Sequence, residues 1–144
     1  MILPDLNLLL YAYNPYSREH ESARRWWESA LAGSEIIGLP HEISLGFVRI
    51  ATHPRLGPAM VSVEAAKRVV LTWLKQPGVR VLLPKEDHAA KVLDLMQRAG
   101  VSGALTSDAS LAVHAMENRA TLCSNDRDFA RFPGLDWKNP LRAE

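Results

Sequence analysis

The sequence predicts an α/β protein built on a central, mainly parallel sheet. Short apolar runs alternate with amphipathic stretches of helical length, and Pro, Gly or Asn breaks most of the junctions. No internal repeat, low-complexity tract or linker interrupts that alternation. Strands spaced by helices of about 10–15 residues must cross over, and crossovers make neighbouring strands parallel.

The elements follow in order. Ile2-Leu3 is a short strand ended by Pro4, and Leu6 to Tyr13 is a short helix stopped by Asn14-Pro15. Ser17 to Leu31 is a second helix, with Ser17 as N-cap and Gly33 just past its end. Ile36 to Leu39 is a strand, and His41 to Thr52 a helix stopped by Pro54. Ser62 caps a helix that runs to Gln76, before the Pro77-Gly78 break. Val79 to Leu83 is the third strand, and Glu86 to Ala99 a helix with Gly100 at C′. Ser107 or Asp108 caps a helix from Ala109 to Asn118. Ala120 to Cys123 is the fourth strand, and Leu135 to Trp137 a short edge strand.

A chain of 144 residues fits a single domain, 1–144. At that size folding buries roughly 70% of the unfolded surface, so neither disulfide nor structural metal is needed. Cys123, the lone cysteine, lies in an apolar run and reads as a buried, inert thiol. No membrane span and no basic leader precede the domain, which points to the cytoplasm. With 17 Lys+Arg against 16 Asp+Glu, the net charge of +1 names no partner. What matters is where the charges cluster.

Parallel α/β sheets bind ligands beyond the carboxyl ends of their strands. Five acids fall at element boundaries there: Asp5 after the first strand, Glu42 after the second, Asp126 and Asp128 after the fourth, and Asp108 at the start of the preceding helix. Each has an ordinary role available as helix cap, dipole partner or turn residue. Caps, however, are equally well made by Ser, Thr or Asn. Crowded carboxylates repel one another and raise their own pKa values. A divalent cation removes that penalty, and Mg²⁺ prefers an all-oxygen site. Two such ions can activate a water and stabilise the leaving oxygen of a phosphodiester.

These residues resemble the PIN domain, and most nearly the VapC-like toxins of bacterial toxin–antitoxin pairs. The resemblance rests on Asp5-x-Asn7, Glu42, Asp108 and Asp126-x-Asp128-Phe129 in their helical contexts. It extends to His20-x-x-Ala23-x-x-Trp26, to Phe47 through Thr52, and to Gly134-Leu135. It implies a PIN-like three-layer α/β/α sandwich. It also implies an endoribonuclease in which Asp5, Glu42, Asp108 and Asp126 bind Mg²⁺ or Mn²⁺. Asp128 is then a supplementary ligand, Ser124 orients a ligand or water, and Asn7 is a supporting hydrogen-bond partner. The products are a 5′-phosphate and a 3′-hydroxyl, and the substrate is RNA, such as a structured tRNA. A cognate antitoxin is the implied protein partner. His41 beside Glu42 departs from the apolar or neutral residue the family pattern leads one to expect. The alternative is a non-catalytic PIN-like module that binds RNA or protein, which should have lost one or more acids.

Arg127 and Arg131, near the acids in sequence, are candidates for RNA phosphate, as are Arg24 and Arg25. The five histidines show no zinc-helix spacing, and His114 and His20 read as structural. Trp26 and Trp27 point about 100° apart on a helix, so one is buried and the other partly exposed. Val69, Val70, Leu71, Trp73 and Leu74 exceed one core-facing stripe, which predicts a homodimer through helical surfaces.

Overall fold

The computed structural model describes residues 1–142, so residues 143 and 144 of the expected domain lie outside the described residues. The apolar runs form β1 (Ile2–Pro4), β2 (Ile37–Pro40), β3 (Val79–Leu82), β4 (Thr121–Cys123) and β5 (Trp137–Lys138). Their order across the sheet is β3-β2-β1-β4-β5, and every adjacent pair is parallel. Leu3, Ile37, Leu39 and Leu122 are fully enclosed, as strands covered on both faces require. The amphipathic stretches form α1 (Leu6–Tyr13), α2 (His20–Ala32), α3 (His41–Ala51), α4 (Val63–Leu74), α5 (His88–Ala99) and α6 (Leu105–Glu117). α1 packs on α2 and α3, α3 packs on α4, and α5 packs on α6. The result is a three-layer α/β/α sandwich, as expected. No helix among the described residues is long and apolar enough to cross a membrane.

The strand order decides where a ligand can sit. From β1 the chain steps outward through β2 to β3, then returns past β1 to lay β4 on its other side. Connections therefore leave β1 and β4 in opposite directions, opening a crevice at their carboxyl ends. Pro4 pairs with Cys123 there, and the Asp5 N–H continues the ladder to the Cys123 carbonyl at 2.8 Å.

Local signals place most boundaries. The Ser62 hydroxyl accepts from the Ala65 N–H at 3.1 Å, and Gly100 takes the left-handed conformation (φ 67°, ψ 36°) that ends α5. Three helix starts differ from expectation, α4 ends at Leu74 rather than Gln76, and β5 covers Trp137–Lys138 rather than Leu135 to Trp137. α2 starts at His20, because the Ser17 hydroxyl bonds Glu19 in a turn ahead of the helix. α5 starts at His88 rather than Glu86. α6 starts at Leu105, because a turn through Ser102 and Gly103 (φ 61°) begins it a turn early. Neither Ser107 nor Asp108 is therefore a cap. Short 3₁₀ turns at Pro54–Ala59 and Arg127–Arg131 add to the expected elements.

One aromatic cluster locks α1, α2, α3 and α4 together. Trp73 contacts Tyr13, Trp27 and Phe47 at ring-centroid distances of 5.7, 5.7 and 4.8 Å. Its indole N–H donates to the Tyr13 hydroxyl at 2.8 Å. Trp27 is buried and Trp26 half-buried, as their spacing predicts. The supposed surplus apolar face of α4 is smaller than expected. Trp73 and Val70 belong to the core and Val69 is half-buried, which leaves Leu71 and Leu74 exposed.

Candidate active site

The crevice is built from the end of β4 inward. Ser124, fully buried, donates its hydroxyl to Asp5 Oδ2 at 2.7 Å and accepts the Asp126 N–H at 3.0 Å. Asp126 Oδ1 in turn accepts the Asp128 N–H at 2.9 Å. The Trp137 indole holds the Ser124 carbonyl at 3.0 Å, so β5 braces the same loop. One serine thus ties the acid after β1 to the acids after β4. Asp5 stands at the N-cap position of α1 yet makes no side-chain cap bond, which leaves its carboxylate to the crevice.

Charge and burial act together here. Burial pushes the Asp5 carboxyl above its ordinary range; the Ser124 hydroxyl and the Leu6 N–H pull it back, and Asp126 pushes it further. Asp108 projects from the first turn of α6. Its carboxyl is pushed up to about 7, first by burial and then by Asp5, Asp126 and Asp128. Four carboxylates therefore share one field. All their donors are oxygens, and burial together with mutual repulsion is their liability. Such a set fits a hard divalent cation, which neutralises the repulsion and takes carboxylate oxygens.

Glu42 enters from the first turn of α3. Asp5, Asn7, Glu42, Arg49 and Asp108 line one cleft of about 410 Å³. The Glu42 carboxylate itself turns toward α6: Oε1 accepts from the Ser110 hydroxyl at 3.0 Å and lies 3.3 Å from His114 Nε2. His88 Nε2 is 2.9 Å from the same hydroxyl. Ser110, His88 and His114 escape the sequence pattern, because α5 and α6 meet only through tertiary packing. His114 is buried as a structural residue would be, but it faces an acid. Arg49 carried a signal: it lies seven residues after Glu42, and that spacing puts both on one helix stripe.

The remaining candidates are scattered. Arg127 and Arg131 are exposed on the turn after Asp126. Arg24 is bonded to Glu21 and Glu28 at 2.8 and 2.9 Å, and Arg25 lies 3.6 Å from Glu21. Neither is among the residues lining the cleft. His41 is exposed. Cys123 is buried, and burial pushes its thiol up to about 11, so it is inert.

With this geometry in hand, the likenesses to known proteins can be placed. The PIN domain family matches residues 2–135. Ribonuclease VapC33 of Mycobacterium tuberculosis is 40% identical over 142 residues, 99% of each chain. Ribonuclease VapC37 of the same organism is 38% identical over 140 residues, 97% of each. Among solved structures, the chain resembles VapBC2 from Rickettsia felis bound to a promoter DNA fragment, with TM-score 0.69 and 18% identity over 96% of this chain and 98% of that one. It also resembles Mycobacterium tuberculosis VapC20, a sarcin-ricin loop cleaving toxin, with TM-score 0.68 and 17% identity over 90% and 93%. At that identity the structural likenesses speak to fold alone.

Proposed function

Because the chain belongs to the PIN-domain family, among its VapC ribonucleases, we propose that it is a metal-dependent endoribonuclease, the toxin of a toxin–antitoxin pair. The observation that carries the reading is the convergence of Asp5, Asp108 and Asp126 at the β1–β4 crevice, with Asp108 pushed up to about 7 by burial and its neighbours. Asp5, Asp108 and Asp126 would hold Mg²⁺ or Mn²⁺, with Glu42 from the far wall and Asp128 as a supplementary ligand. When bound, the ion supplies Lewis-acid stabilisation of the charge that develops on the phosphate. Ser124 fixes the orientation of Asp5 and the position of the Asp126 backbone. Asp108, pushed up to about 7, is partly protonated at neutral pH, so cation binding competes with that proton. Arg49, Arg127 and Arg131 offer cations to the RNA backbone.

The test is incubation of the purified chain with total RNA, then mapping of the ends. Cleavage in Mg²⁺ or Mn²⁺, leaving 5′-phosphates and stopping in excess chelator, is expected; structured RNA such as tRNA is the first substrate to try. Asp5→Asn should fold and not cut. Robust cutting in chelator, or by Asp5→Asn, would overturn the reading.

The partners belong to the same proposal. An apolar groove of about 460 Å³, walled by Leu10, Phe47, Ile50, Val61 and Val69, supports docking of an antitoxin segment. Exposed Leu71 and Leu74 on α4 support twofold pairing into a homodimer. Sedimentation at micromolar concentration tests the pairing, and a strictly monomeric, fully active chain would remove it. Harmless expression of the active enzyme would count against the toxin role.

A further inference from the structure

Glu42 has a second set of neighbours outside the carboxylate cluster. His114 Nε2 stands 3.3 Å from its Oε1, Ser110 bridges it to His88, and the two imidazole rings lie 4.5 Å apart between centroids. One donor atom from each of Glu42, His88 and His114 lies within 4.8 Å of the other two. The three come from α3, α5 and α6, so the helices themselves position them. His114 is buried. His88 Nδ1 is buried with no hydrogen-bond partner among the described residues, so the chain alone does not satisfy that ring.

We propose that His88, His114 and Glu42 form a site for a borderline divalent cation of the Zn²⁺ class, distinct from the all-carboxylate site but sharing Glu42 with it. Two neutral imidazoles and one carboxylate are a ligand set that Zn²⁺ accepts with a fourth position left for water. Mg²⁺ prefers oxygen alone, so ligand type sorts the two ions between the two sites. Zn–N and Zn–O bonds of about 2.0–2.2 Å put tetrahedral donors roughly 3.3 Å apart. His114 and Glu42 already stand at 3.3 Å. His88, only half-buried, has to close the remainder by rotating its side chain. Zn²⁺ held there keeps the Glu42 carboxylate turned away from the cleft. The resulting inhibition rests on the nuclease reading above; the binding does not.

The experiment is titration of the full chain with Zn²⁺ by calorimetry in excess Mg²⁺, with Co²⁺ absorption as a spectroscopic readout. One ion per chain is expected, with a four-coordinate Co²⁺ spectrum. His88→Ala, which changes a half-buried residue, should fold normally by circular dichroism. It should weaken binding by at least the roughly 10–100-fold that loss of an outer-sphere partner costs. Asp108→Asn should keep Zn²⁺ binding. Unchanged affinity in His88→Ala, or loss in Asp108→Asn instead, would place the ion among the carboxylates and overturn the proposal. In the cleavage assay Zn²⁺ should inhibit the wild type and spare His88→Ala. Zn²⁺ bound through His88 without inhibition would overturn the shared-ligand consequence. A chain that binds Zn²⁺ this way but never cuts RNA would sustain the site and sink the nuclease reading.

Discussion

Asp108→Asn separates the electrostatics of the crevice from its packing. The wild-type carboxyl is pushed from its usual 3.8 to about 7. Between those values the folded state keeps a proton that the unfolded chain has released. Stability therefore falls as pH rises across that window and stays low above it. At about 1.36 kcal/mol per pH unit the ceiling is about 4 kcal/mol. Water screens a half-buried group, which brings the cost to about 1–2 kcal/mol. Asparagine removes that cost but gives up about 0.3–1 kcal/mol of favourable interaction between an anion and the first turn of α6. The variant should then be about 1 kcal/mol more stable than wild type at pH 8 in chelator. With an unfolding entropy of about 0.3 kcal/mol/K for 144 residues, that is a Tm higher by about 3 °C. The gap should shrink steadily as pH falls from about 7 toward 4, and the variant should not cleave RNA. Scanning calorimetry in chelator across that range is the assay. A variant less stable at pH 8, or a gap independent of pH, would refute the account by burial and repulsion.

Four further substitutions probe separate features. Ser124→Ala removes the hydroxyl that binds Asp5 and the Asp126 N–H; leaving those groups unpaired should cost about 1–3 kcal/mol in denaturant unfolding. The Asp5 carboxyl should rise further, moving the acid limb of the pH–activity profile upward. Arg49→Ala should weaken RNA binding and lower the salt slope by about 1, measured by anisotropy in an Asp5→Asn background. Arg24→Ala, whose guanidinium is engaged by Glu21 and Glu28, should change neither. At Gly38 a Cβ would lie 2.6 Å from Leu82 Cδ1 and 3.0 Å from Met1 Sδ, so Gly38→Val should overpack the sheet by about 1–3 kcal/mol. A neutral result there would mean that the Leu82 and Met1 side chains swing clear of the added group.

Much of the fold was legible because its signals are local. Short apolar runs, Ser62, Pro77-Gly78 and Gly100 each act within a turn of where they lie. The acids were legible for a related reason: in a parallel sheet, the residue after a strand is already at the ligand edge. Features set by packing between distant segments were not. Asp108 reads as a cap until Gly103 starts α6 a turn early. Trp73 reads as surplus surface until Tyr13, Trp27 and Phe47 close around it. His88 and His114 are 26 positions apart, with no spacing rule to join them, yet their ring centroids lie 4.5 Å apart.

The bond between Ser124 and Asp5 spans 119 positions of sequence. A ribosome adding about 5–20 residues per second needs roughly 6–24 s to travel from Asp5 to Ser124. For most of that time β1 has been synthesised but its neighbour β4 has not, and Asp5 has no serine to hold it. The crevice closes only when β4 meets β1, a pairing that pays the whole loop-closure entropy of the intervening chain. The nascent protein is therefore latent by topology. A premature stop anywhere before Ser124 releases a fragment without the hydroxyl that joins Asp5 to Asp126, and the cleft cannot assemble until translation has passed Ser124.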